Sequence, residues 1–374
     1  MRVVFVGGGT GGHFYPLIAV AEAVRERDRA SNEESDLIYI GPEPYNQAAL
    51  DSVGLRFVSC PAGKRRLYRS ILNWLDSFKI ISGFFVAFFK LLWLYPDVIM
   101  SKGGYTSVPV ILAAWLLRIP IMIHESDAVA GRANKLAARF SRYVAIAFPE
   151  VSEQFPKEKI ALVGMPIRRA FFKTSKEPFG LLGIPTDRPV ILVTGGSSGA
   201  VRINDFILRS LTRLLPKYTV IHQVGDQNVD RVTADASALF QDRSILDHYF
   251  VFGHLEQEQF VAALECSSLV LTRAGSTTLF EIALKGRPSI VIPIPEDVSR
   301  DQRTNAYTYA RATGASVLEE HNLSDDLLVA EIDRILSDEA ALSEMRSKAA
   351  TFTTPKAADT LAGTLRSIAN EHES

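Results

Sequence analysis

The sequence lacks most of the features that would place it outside the cell, across a membrane or on nucleic acid. It has two cysteines, Cys60 and Cys266, far apart and in no CxxC pair. That scarcity argues against a disulfide framework and a zinc site, and for a reducing compartment. The formal net charge is -1 at pH 7, so no overall charge bias recommends the chain to nucleic acid. Met1-Arg2 leads straight into a short apolar run and glycines, without the longer apolar core and cleavage site of a signal peptide. The expected setting is therefore the cytoplasm. Long apolar runs are missing too. The most apolar stretch, residues 80–95 (IISGFFVAFFKLLWLY), is interrupted by Lys90 and falls short of the roughly 20 residues that span a bilayer. It reads as a partly buried helix with one face available to lipid.

What is present suits a globular α/β protein. A chain of 374 residues with 47% hydrophobic and 22% charged residues is long for one core, so two domains are expected. Short β-rich apolar runs alternate with helical patterns, the signature of a parallel sheet covered by helices. Strands are expected at 3–6, 37–40, 98–100, 121–124, 144–147 and 161–163, with helices over 16–27 and 108–117. A second series begins near Pro189, with strands at 190–193, 220–223, 269–271, 289–292 and 316–318. Each series opens with a strand, a glycine loop and a helix. The expected organisation is residues 1–163, a proline-bearing linker at 164–186, a second domain at 187–350, and a C-terminal helix in 351–374 that packs back on the first. In such open sheets ligands bind beyond the carboxyl ends of the strands, and two of them facing each other make a cleft.

Residues 7–13 read GGGTGGH between a strand and a helix. Free backbone N–H groups and the positive helix end suit an anionic or oxygen-rich ligand that glycine lets approach. Gly7, Gly9 and Gly12 also satisfy GxGxxG, but the acid that a dinucleotide site needs at the end of the second strand is missing, since Glu43 comes too late. His13, at the helix start, is a candidate base because the dipole disfavours its protonated form; the plainer reading is a cap or a packed imidazole. In the second half, Arg273-Ala274-Gly275-Ser276-Thr277-Thr278-Leu279-Phe280-Glu281 follows a strand. Its hydroxyls and N–H groups suit a diphosphate, and Glu281 suits a ribose; the plainer reading is a helix capped by Ser276 with Glu281 in solvent. Gln302 and Asn305 share a helix face and suit a sugar's hydroxyls.

In order, the stretches GGGTGGH (7–13), SKGGYTSVPVILAAW (101–115), HESDAVAGRANK (124–135), GMPIR (164–168), GGSSGA (195–200), RAGSTTLFE (273–281) and DQRTNA (301–306) resemble the MurG family of bacterial N-acetylglucosaminyltransferases over nearly the whole chain. The resemblance implies a GT-B fold of two Rossmann-like domains and inverting transfer of GlcNAc from UDP-GlcNAc to lipid I, giving lipid II for peptidoglycan. It implies that Ser197, Ser276, Thr277, Thr278 and Leu279 meet the diphosphate side of the donor, that Glu281 holds the ribose, and that Gln302 and Asn305 hold the sugar. Gly253, Asp127 and Arg168 complete the donor set. Thr10, Gly11 and Gly12 line the site beside His13, which faces the acceptor's 4-hydroxyl as the proposed base, with His124 and Glu125 as second candidates. Ser126-Asp127 and Asp301-Gln302 depart from the commoner Gln-Asn and His-Gln or Gln-Gln, which leaves the role of Asp127 open. No metal is expected, and no cofactor, UDP-GlcNAc being a substrate.

Lys64, Arg65, Arg66 and Arg69 precede Leu72, Trp74, Leu75 and Phe78. Alone this reads as a solvated loop before a core helix. With the resemblance it reads as a basic, apolar face that docks on the inner leaflet of the cytoplasmic membrane. The rival readings are a related transferase acting on diacylglycerol, an NAD-dependent oxidoreductase and a non-catalytic nucleotide-sugar binder.

Overall fold

The apolar runs form two parallel sheets, one in each of two units: residues 1–169 with 354–374, and residues 170–353. The computed structural model describes residues 1–63, 72–196, 199–296, 298 and 301–373, without the side chains of 72–78, 372 and 373.

In the first unit the strands are β1 (Arg2–Gly7), β2 (Asp36–Gly41), β3 (Arg56–Ser59), β4 (Val98–Gly103), β5 (Ile121–Glu125), β6 (Tyr143–Ile146) and β7 (Ile160–Leu162). Its helices are α1 (Gly11–Ser31), α2 (Gln47–Ser52), α3 (Leu72–Leu94), α4 (Val108–Leu116) and α5 (Arg132–Ala137). The sheet order is β3-β2-β1-β4-β5-β6-β7, and every pairing is parallel. Side chains alternate across a strand, and here both faces are covered. Val3 and Phe5 join the cluster of Leu17 and Val24 from α1, whereas Val4 and Val6 join that of Leu91 from α3 and Val110 from α4. This double burial is why β1, β2 and β4 read as continuous apolar runs.

The second unit holds α6 (Pro178–Leu182), β8 (Val190–Thr194), α7 (Val201–Leu214), β9 (Thr219–Gln223), α8 (Val229–Leu239), β10 (Tyr249–Phe252), α9 (Gln257–Cys266), β11 (Ser267–Thr272), α10 (Ser276–Leu284), β12 (Ser289–Val291), α11 (Gln302–Thr313), β13 (Ser316–Val317), α12 (Asp325–Ser337) and α13 (Glu339–Phe352). Its parallel order is β10-β9-β8-β11-β12-β13. Ile191 and Val193 pack with Ile203, Ile207 and Leu211 of α7 and Ile332 of α12. Segment 170–186 packs within this unit, with α6 against α9. The last helix, α14 (Ala357–Glu373), lies against α1 and contributes Leu361, Leu365 and Ile368 to the first unit's core.

The α/β class and both parallel sheets match the expectation. Two strands were not expected, β3 and β10, and both sit at an outer edge of their sheet. Edge strands carry weaker patterns because less of them is buried; β3 is exposed or half-buried throughout. Helix α1 also starts at Gly11 rather than near Pro16. Glycine is a poor helix former, yet the amides of His13 and Phe14 both reach the carbonyl of Thr10, at 3.1 and 3.2 Å, and close the first turn.

Candidate active site

Both sheets reverse their strand order at one point, between β1 and β4 and between β8 and β11. The loops that leave those strands therefore lie side by side, where open α/β sheets bind ligands. In the first unit this sets GGGTGGH beside Gly103-Gly104. The fit requires glycine: a β-carbon on Gly104, whose φ is 80°, would stand 2.9 Å from the Gly8 carbonyl oxygen. The Tyr39 hydroxyl donates to the Gly7 carbonyl at 2.6 Å and pins the loop from below.

His13 sits in the first turn of α1 with its Nδ1 2.8 Å from the Thr10 hydroxyl, which leaves Nε2 for a second partner. When Nδ1–H donates to Thr10, Nε2 is a free proton acceptor. Enclosure of the ring, and next repulsion from Lys102, lower its pKa to about 4, with Asp127 working the other way. His13 is thus neutral at physiological pH. Thr10 is exposed, while Gly11 and Gly12 are half-buried.

The other two candidate bases are differently placed. His124 is fully buried on β5, with Nε2 2.8 Å from the Gly164 carbonyl. Burial, then Lys102, hold its pKa well below the ordinary imidazole value. Glu125 accepts four hydrogen bonds: from the amides of Ser126 (2.8 Å), Asp127 (3.1 Å) and Gly131 (2.9 Å), and from the Asn134 side chain (3.0 Å). Its carboxylate organises the turn that presents Asp127, and its lone pairs are largely spent. Burial, with Asp127 next, raises its pKa, against Lys102 and the bonds from Asn134 and Gly131. Arg168 lies over the Tyr15 ring at 4.1 Å, two residues beyond His13 on α1. Sequence reasoning missed Lys102, which ends β4 within the quoted SKGGY stretch. A lysine at a strand end reads as a surface residue, yet this one is 1% exposed.

In the second unit the helix that follows β11 starts with Gly275 as N-cap, not Ser276. Ser276, Leu279 and Glu281 are buried. Thr277 Oγ1 is buried in the first turn without a hydrogen-bond partner among the described residues, at the helix end that attracts anions. Gln302 and Asn305 do come together, but on protein: Gln302 Oε1 accepts from the Ala274 and Ile294 amides (3.2 and 3.3 Å), and Asn305 Nδ2 donates to the Ala274 carbonyl (3.2 Å). They clamp the turn that leads into α10. Arg273 donates to the carbonyls of Ile292 and Pro293 and pairs with Glu320 at 2.5 Å, and Arg202 pairs with Glu320 at 2.7 Å. These arginines, with Gly195 and Gly199, line a cavity of about 860 Å³ beyond the ends of β8 and β11. Gly253 packs on Asp226, where a β-carbon would meet Asp226 Oδ1 at 2.3 Å. Ser197 lies outside the described residues. No group of three or more His, Cys, Asp or Glu side chains is gathered to hold a metal ion among the described residues.

Lys64, Arg65, Arg66 and Arg69 lie outside the described residues, as do the side chains of Trp74, Leu75 and Phe78. Further along the same helix, Ile81, Phe85, Phe89, Leu92 and Trp93 are exposed, Phe89 by 64% and Trp93 by 85%. No helix among the described residues is long and apolar enough to cross a membrane.

Residues 3–146 match the model of the glycosyltransferase family 28 N-terminal domain, and residues 190–361 match that of its C-terminal domain. The chain belongs to glycosyltransferase family 28. It is 34% identical over 337 residues to a Bacillus cereus protein, covering 89% of this chain and 91% of that one. A Treponema denticola protein is 34% identical over 351 residues, covering 90% and 87%. Both relatives carry the name UDP-N-acetylglucosamine–N-acetylmuramyl-(pentapeptide) pyrophosphoryl-undecaprenol N-acetylglucosamine transferase. Among solved structures, Acinetobacter baumannii MurG aligns with a TM-score of 0.72 at 24% identity, covering 98% of this chain and 99% of that one. That likeness speaks for the fold and agrees with the family 28 assignment. The resemblance read from the ordered motifs is borne out, and the dinucleotide-binding alternative is set aside. The family 28 boundaries run on past β13 and take in the start of α14.

Proposed function

We infer that this family 28 glycosyltransferase moves GlcNAc from UDP-GlcNAc to the 4-hydroxyl of the MurNAc of lipid I, giving lipid II. The observation that carries this reading is 34% identity, over about nine-tenths of the chain, to relatives named for that reaction. The acceptor oxygen attacks C1 of GlcNAc, the bond from C1 to the UDP oxygen breaks with inversion, and the hydroxyl proton must go to a base. His13 is that base. Its ring is neutral and keeps one nitrogen available, whereas His124 is buried and Glu125 is committed to its turn. A positioned base of this kind contributes about 10²–10⁴-fold.

The leaving diphosphate takes its stabilisation from the start of α10, where Thr277 carries an unsatisfied buried hydroxyl. Ser197, Ser276, Thr278 and Leu279 belong to the same donor set, with Glu281 on the ribose. Gln302 and Asn305 hold the Ala274 turn on the side assigned to the sugar. The displacement asks for no cofactor. The exposed apolar face of α3 supports docking on the inner leaflet of the cytoplasmic membrane, where a lipid-linked acceptor resides.

The test is transfer from labelled UDP-GlcNAc to a lipid I analogue and, separately, to diacylglycerol. Product with lipid I alone is expected. Product with diacylglycerol alone would replace the acceptor and leave only the family.

A further inference from the structure

Lys102 stands out among the charged groups of the first unit. Its side chain leaves β4 beneath the Gly7 turn, where a β-carbon on Gly7 would come within 2.8 Å of Lys102 Cβ. It is 1% exposed, and its Nζ has no hydrogen-bond partner among the described residues. A buried ammonium without a partner is costly, so its presence at the switch point of the sheet asks for a reason. The titratable groups it interacts with are His13 from α1, His124 and Glu125 from β5, and Asp127 beyond β5. The neighbours of opposite charge are Glu125 and Asp127, and the carboxylate of Glu125 is already saturated by amide donors.

We propose that Lys102 is a positioning residue of the transfer site, a buried fixed charge beneath the glycine loop that sets the electrostatics of the Glu125 turn and of the His13 ring. Burial, and next the neighbouring Asp127, favour a proton on Glu125. The Lys102 ammonium works against that proton. The same charge opposes protonation of His13, so the imidazole enters each turnover as a free base. Burial lowers the lysine's own pKa only to about 8, with Glu125 and Asp127 holding it up, so it remains mostly charged at pH 7. The catalytic side of this role rests on the function proposed above. The effect on His13 does not, since it is a property of the chain without substrates.

The experiment follows the His13 ring by NMR in protein carrying ¹³C-labelled histidine, with His13→Gln to assign the signal, in Lys102→Met, Lys102→Gln and Lys102→Arg. Removal of the charge should raise the His13 midpoint by a pH unit or more, a roughly tenfold gain in proton affinity, while arginine should leave it low. An unmoved midpoint in a folded, charge-free variant would overturn the proposal, and so would failure of both charge-free variants to fold, which would make Lys102 structural. Transfer assays on the same proteins add a second readout. The acid limb of kcat/KM should move to higher pH in Lys102→Met and not in Lys102→Arg, whereas a structural defect would lower activity evenly across pH. A shifted His13 midpoint in a chain that transfers nothing to lipid I would retain the electrostatic role and count against the acceptor.

Discussion

At the scale of single residues, chemistry that could be read from residue type and local position was legible, and chemistry that depends on burial was not. His13 and Glu281 stand out by place, an imidazole after a glycine loop at a helix start and a carboxylate on the helix that follows β11, each with a plainer reading beside it. Glu125 looks like a base in sequence, but four donors from residues 126–134 have claimed it. Lys102 looks like surface because nothing local reveals that the Gly7 turn closes over it. The same burial has a measurable consequence for stability. His124 and His222 are both fully buried, and burial lowers the pKa of His222 to about 3 and that of His124 well below its usual value. His222 is held by Tyr249 at 2.8 Å and Asn204 at 3.1 Å. Both rings stay neutral in the folded chain and take protons in the unfolded chain once pH falls below about 6.5. Their contribution is therefore complete above pH 6.5 and shrinks as pH falls towards the folded-state values, each by up to about 1.4 kcal/mol per pH unit. Urea denaturation should give a midpoint that drops between pH 7 and pH 5, before carboxylates titrate. An unchanged midpoint over that window would mean that these rings are not neutral in the folded state.

At the scale of elements, periodicity found the buried strands and the amphipathic helices, because a continuous apolar run and a 3.6-residue stripe are strong signals. It missed β3 and β10, whose edge positions leave weaker patterns, and it began α1 a turn late because Gly11 and Gly12 look like loop. Helix α3 is the reverse case. Its apolar run is legible, but which side faces solvent is set by packing on α4. Exposure of Phe85, Phe89 and Trp93 beside Ile81 and Leu92 on one helix predicts a lipid-binding face. Combined Phe85→Ser, Phe89→Ser and Trp93→Ser should abolish sedimentation with vesicles of anionic lipid while leaving the thermal midpoint nearly unchanged, since these side chains bury little. Retained sedimentation would place membrane contact elsewhere.

At the scale of the molecule, one device is used twice: a parallel sheet whose order reverses next to its first strand, so that two loops distant in sequence meet at the strand ends. In the first unit this joins GGGTGGH to Lys102-Gly103-Gly104, and in the second Gly195 and Gly199 to Arg273. The motifs were visible in the sequence, and the topology explains why they come in pairs. The last helix, α14, lies against α1, a packing that its sequence does not show by itself. His13 is expected to take the acceptor's proton. The most direct measurement is the rate of GlcNAc transfer to a lipid I analogue, at saturating substrates, by the unaltered chain and by His13→Ala. With His13 as the base, kcat should fall about 10²–10⁴-fold with donor affinity unchanged. Turnover that survives in His13→Ala would contradict it and move the base to another residue.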